Sequence, residues 1–123
     1  MNESETTIHE NIAKYLNLVI RKPSRWWTIE VSNQASGKAA MIRQMALKRR
    51  GVTTGTPDIQ VKWRKSSGEL HLIFMEVKAL DGKLTEKQAA LHQELREEGH
   101  SVFVVRSVAD AENALVEVGM LRR

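Results

Sequence analysis

Apolar residues recur at helical spacing near the start of the chain, where Ile8, Ile12, Leu16 and Val19 share one face of a helix expected over residues 3 to 20. Asn2 with Glu5 three residues later predicts a capping box at its start. Pro23 predicts its end. Trp26 to Val31 reads as a strand and Ser32 to Gly37 as a polar loop. Lys38 to Arg50 reads as a helix with basic residues in its last turn and Gly51 in the stop position. The run Asp58-Ile59-Gln60-Val61-Lys62-Trp63 then alternates polar and apolar, as a half-buried strand does. A second strand runs from Leu70 to Lys78, and Ser66-Ser67-Gly68 between the two is a turn signal, so the pair predicts a hairpin. Asp81-Gly82 marks another turn. Thr85-Glu86-Lys87-Gln88 is a capping box opening a helix to about Glu98, closed by Gly99. Ser101 to Arg106 is a short apolar strand, and Ser107 to about Val118 is the last helix. The expected order is α-β-α-β-β-α-β-α. A hairpin followed by a strand–helix–strand crossover gives an α/β fold, a central mixed β-sheet flanked by helices.

Composition narrows the class. A chain of 123 residues, 41% hydrophobic, suits a single domain over residues 1–123 with a real core. It has no cysteine, which removes disulfides and thiolate metal sites and fits a reducing cytoplasm. No apolar run is long enough for a membrane span, and the polar, acidic first residues are unlike a signal peptide. The expected location is intracellular. The net charge of +4 is modest, but its distribution is uneven. Lys38, Arg43, Lys48, Arg49 and Arg50 precede the hairpin, and Lys62, Arg64 and Lys65 lie within it. Such a cluster suits a phosphate backbone. A solvated helix face is the plainer account of the first group.

The hairpin carries the chemistry. Glu76 and Lys78 are two apart on one strand, so both point to one face while Val77 turns into the opposite layer. Asp58 opens the other strand, 18 residues before Glu76. Antiparallel pairing through the turn brings Asp58 and Glu76 together at one end. Two carboxylates suit Mg²⁺ or Mn²⁺, which take hard oxygen ligands. A neighbouring ammonium can orient an attacking water or offset charge developing on phosphorus. These residues point to cation-dependent cleavage of a phosphodiester. Against this, a bare Glu-x-Lys is frequent on strand faces as a solvated pair, and Asp after Pro is a common turn residue.

Gly55-Thr56-Pro57-Asp58, then Glu76-Val77-Lys78, then Leu84-Thr85-Glu86-Lys87-Gln88 resemble the PD-(D/E)xK nuclease superfamily, and more narrowly its VRR-NUC domain. The resemblance is closest from Gly51 to Leu115, including Gly99 and Val104-Val105-Arg106-Ser107, and looser through the acidic first helix and Trp27 to Asn33. It implies a restriction-endonuclease-like core and a stand-alone phage or bacterial domain similar to Holliday-junction resolvases. It implies metal binding by Asp58, Glu76 and the main-chain carbonyl of Val77, with Mg²⁺ or Mn²⁺ as cofactor. Lys78 would orient the nucleophilic water, and Gln88 would support the site, in competition with its capping job. The family often adds a carboxylate from the first helix. Glu5 has the usual spacing to Ile8 and Ile12, with Glu10 as the rival and Glu3 behind them. The implied activity is structure-selective endonuclease action on branched DNA such as four-way junctions, by a homodimer. The alternatives are a non-catalytic DNA-binding domain that keeps the fold, or a small basic interaction module whose motif is coincidental.

Other residues carry less. Asn33, Lys38, Arg49 and Arg50 are candidate backbone contacts to nucleic acid. Trp26 and Trp27 can stack on a base or pack in the core. His9, His71, His92 and His100 show no metal spacing and read as structural or surface residues. Met41, Met45 and Met75 read as core or interface filler.

Overall fold

The fold is taken from a computed structural model, which describes residues 3–29 and 55–122. Helix α1 (Glu5–Val19) opens at Ser4, whose hydroxyl accepts the Thr7 N–H. The N-cap is therefore Ser4 and not Asn2, which lies outside the described residues. Glu5 becomes the first helical residue, and the reciprocal capping role expected of it does not arise. Ile8, Ile12 and Leu16 form the buried stripe, one helical turn apart. The helix ends at Val19, with Ile20 as C-cap, before Pro23 is reached.

Four strands follow: β1 (Arg25–Thr28), β2 (Ile59–Arg64), β3 (Leu70–Val77) and β4 (Ser101–Val105). Their order in the sheet is β1-β2-β3-β4. β1 starts one residue earlier than expected, and residues 30 and 31 of the predicted strand lie outside the described residues. So does the helix predicted at Lys38–Arg50, with Met41 and Met45. β2 and β3 form the expected antiparallel hairpin, with Ile59 opposite Met75 and Arg64 opposite Leu70. Gly68 takes a positive φ in its turn, where a side chain would be strained. β3 and β4 run parallel, Val77 beside Val105, across the crossover helix α2 (Glu86–Glu97). α3 (Val108–Glu117) closes the described chain, capped by the Ser107 hydroxyl on the Asp110 N–H. The sheet is mixed, with helices on both faces, as predicted.

The two faces differ. Ile59, Val61, Ile73, Met75, Val77 and Val105 join the α1 stripe and Ala111, Ala114 and Leu115 of α3 in one core. Met75 is core filler, fully buried. The other face of β3 and β4 receives α2: His92 of α2 meets Glu76, and the His100 ring just beyond α2 stands edge-on to Phe74, 5.6 Å between centroids. Residues 73–78 are therefore buried on both sides, and the end of β3 is held rigidly.

Candidate active site

The β2–β3 register, carried one step beyond Ile59–Met75, sets Asp58 opposite Glu76, and a second step sets Pro57 opposite Val77. A strand residue's N–H and C=O point to the same neighbour. At Val77 that neighbour would be Pro57, which has no N–H to give. The ladder stops there for this reason. The Val77 N–H is instead donated to Asp58 Oδ2 at 2.8 Å, which fixes the Asp58 carboxylate against the end of β3. The Val77 carbonyl faces the same gap with no ladder donor opposite. One proline thus ends the ladder and turns the Val77 N–H to the Asp58 carboxylate.

Glu76 is 2% exposed and Lys78 8%, both on the face away from the α1–α3 core. Lys78 is anchored through its backbone N–H to the Val105 carbonyl at 3.0 Å. The turn that follows is clamped by Arg106, whose guanidinium donates to the carbonyls of Ala79 and Gly82, each at 2.6 Å. Ahead of Asp58, Gly55 has φ +92°, and a Cβ there would lie 3.0 Å from the Lys87 carbonyl carbon and oxygen. The Gly-Thr-Pro-Asp loop can press against the first turn of α2 only because Gly55 has no side chain.

The electrostatics are unusual. Burial, then a hydrogen bond with Asp58 and the charge of Asp58, push the Glu76 carboxyl up to about 9, against a smaller opposing pull from Lys78. Glu76 is therefore held in its protonated form at neutral pH. His92 is fully buried with Nε2 3.1 Å from Glu76 Oε1. Burial and the neighbouring Arg96 and Lys78 lower its pKa. This contact is a neutral hydrogen bond and not an ion pair. The other ring nitrogen of His92, Nδ1, is buried and has no hydrogen-bond partner among the described residues. Two carboxyls side by side, next to the Val77 carbonyl, fit the donor set of a hard divalent cation. Among the described residues, no group of three or more His, Cys, Asp or Glu side chains could hold a metal. The donor set here is two carboxylates and a main-chain oxygen.

Gln88 makes the full capping box: its side-chain oxygen accepts the Thr85 N–H at 2.9 Å, and its own N–H goes to the Thr85 hydroxyl at 3.1 Å. Its amide nitrogen takes no part in the box. Of the first-helix carboxylates, Glu5 is the one whose charge bears on Glu76. Glu3 instead accepts from Asn11 at 3.4 Å. Asn33, Lys38, Arg49 and Arg50 lie outside the described residues. His92 is the residue that sequence reasoning missed. The available signal was its place four residues after Gln88, on the same face of α2.

The sequence model of the VRR-NUC domain family matches residues 5–109. A solved structure described as a VRR_NUC domain protein superposes with a TM-score of 0.64 at 16% identity, covering 94% of this chain and 88% of that one. None of the curated proteins compared matches.

Proposed function

Because the chain belongs to the VRR-NUC family, within the PD-(D/E)xK nuclease superfamily, we propose that it is a divalent-metal-dependent, structure-selective DNA endonuclease. The whole chain acts as one nuclease domain on branched DNA such as four-way junctions. The observation that carries this reading is the pairing of Asp58 and Glu76 across the end of the hairpin, with Lys78 on the same face. Asp58, Glu76 and the Val77 carbonyl hold Mg²⁺ or Mn²⁺. Such a cation, when bound, polarises a phosphate and lowers the pKa of a bound water. Lys78 orients the attacking water and offsets charge developing on the phosphate. His92 fixes the Glu76 carboxyl through Oε1, and Arg106 holds the turn that follows Lys78. Glu5 adds a further carboxylate at the rim, and the Gln88 amide nitrogen supports the site from α2.

Action on a four-way junction calls for two sites related by a twofold axis, so the working unit is a homodimer. The test is a labelled panel of four-way junction, 5′ flap, splayed arm, duplex and single strand, incubated with Mg²⁺, Mn²⁺ or EDTA. Symmetric, metal-dependent junction cuts by a species that sediments as a dimer meet the proposal. Cutting of flaps alone removes the junction preference. Tight binding with no cutting under either metal leaves a DNA-binding domain that keeps the fold.

A further inference from the structure

Strand alternation separates the two adjacent tryptophans. Trp26, opposite Val61, packs against the α1–α3 core, and its indole N–H donates to Asn17 at 3.1 Å. Trp27, opposite Gln60, points to the other face. That is the face of Asp58, Glu76 and Lys78. Its ring is half-buried, and the exposed Arg25 guanidinium stands over it, 5.7 Å from the centroid.

The register orders this face in rows. The first row holds Asp58 and Glu76, the second Trp27, Gln60 and Phe74, and the third Arg25, Lys62 and Leu72. Successive rows are two residues apart, roughly 7 Å at the rise of a strand. A polynucleotide strand leaving the carboxylate pair along β2 thus meets an aromatic ring one nucleotide away, then two cations. Among the described residues, no acidic side chain occupies the second or third row. Aromatic rings and cations in alternation suit unpaired nucleotides, because every base offers a π-face and every linkage a negative charge. A continuous duplex keeps its bases stacked on one another and has no face to offer the ring.

We propose that Trp27, backed by Arg25 and Lys62, is a stacking subsite for a nucleotide left unpaired at a branch point next to the scissile phosphate, and so selects branched DNA over continuous duplex. This rests on the nuclease reading of the carboxylate site, but its test does not require cutting. Fluorescein-labelled oligothymidylate and a blunt hairpin duplex are titrated in EDTA, with anisotropy as readout, against wild type, Trp27→Ala, Trp27→Leu, Trp27→Phe and Lys62→Ala. Trp27→Ala and Trp27→Leu are expected to weaken oligothymidylate binding by roughly tenfold to a hundredfold, while Trp27→Phe stays near wild type and duplex binding changes little. Lys62→Ala is expected to weaken binding to both and to flatten the salt dependence. Trp27→Leu keeps an apolar side chain larger than that of alanine, so it carries the test where Trp27→Ala does not fold. Wild-type oligothymidylate binding unchanged in Trp27→Leu, or equal losses on both probes, overturns the subsite. Metal-dependent cleavage by wild type alongside that result leaves the nuclease standing without it. Normal stacking with no cleavage under either metal does the reverse.

Discussion

Glu76→Gln in the metal-free protein removes a titration that the fold makes costly. The folded pKa of Glu76 is about 9, against an ordinary carboxyl value of 4.5. The folded state therefore holds a proton that the unfolded chain releases between those values. Stability from this group is fully present below about 4.5 and is lost as pH rises toward 9. Each pH unit in that window costs about 1.4 kcal/mol for one proton. Over pH 5.5 to 7.5 the wild type should lose about 3 kcal/mol relative to Glu76→Gln, whose amide keeps the shape and hydrogen-bonding capacity but cannot ionise. This is a large fraction of the net stability of a small domain. The assay is urea unfolding of both proteins in EDTA at several pH values, taking the difference of the two curves. Saturating Mg²⁺ or Mn²⁺ should flatten that difference, because the cation stabilises the ionised carboxyl. Parallel curves in EDTA would refute the reasoning: they would mean that Glu76 is solvated in the folded state and that Asp58 does not press on it.

Further outcomes follow from the same geometry. Gly55→Ala meets both a positive φ and the Lys87 backbone at 3.0 Å, whereas Gly68→Ala meets a positive φ in open space. Calorimetry should show Gly68→Ala losing about 1 kcal/mol and Gly55→Ala clearly more. His92→Phe keeps the ring volume but gives up the bond to Glu76, and should lower metal-dependent cleavage by about tenfold to a hundredfold, with a far-UV spectrum unchanged. Leu16→Ala, in the fully buried stripe of α1, should cost about 2–5 kcal/mol in urea unfolding. Leu18→Ala, at a site 71% exposed, should stay within about 0.5 kcal/mol of wild type.

The hairpin was legible in the sequence because period-2 alternation, a Ser-Ser-Gly turn and the 18-residue offset all describe one object. Its register then follows, and with it the meeting of Asp58 and Glu76. The capping box at Thr85–Gln88 was legible for a similar reason: the motif is local, and its bonds form within one turn. The start of α1 was less so, since Asn2 and Ser4 are both good caps and only the fold decides which backbone N–H groups need one. His92 was hidden because its role is tertiary. A buried imidazole is defined by what lies across from it, and Glu76 is 16 residues away. Arg106 was hidden likewise, since its carbonyl partners lie in the turn after β3. The split between Trp26 and Trp27 needed the strand register, which neither residue type nor spacing supplies. Residues 3–29 and 55–122 contain no helix long and apolar enough to cross a membrane.

The central claim is that Asp58 and Glu76 hold a cation beside which Lys78 assists phosphodiester hydrolysis. The most direct measurement compares wild type and Lys78→Ala for cleavage of a labelled four-way junction and for thermal stabilisation by Mn²⁺ or Mg²⁺. A cation at 100 times its Kd stabilises the folded state by about 2.7 kcal/mol. The account predicts that both proteins gain this stabilisation while only wild type cuts, and that Asp58→Ala loses both. Equal cutting by Lys78→Ala, or a metal shift that persists in Asp58→Ala, would contradict it.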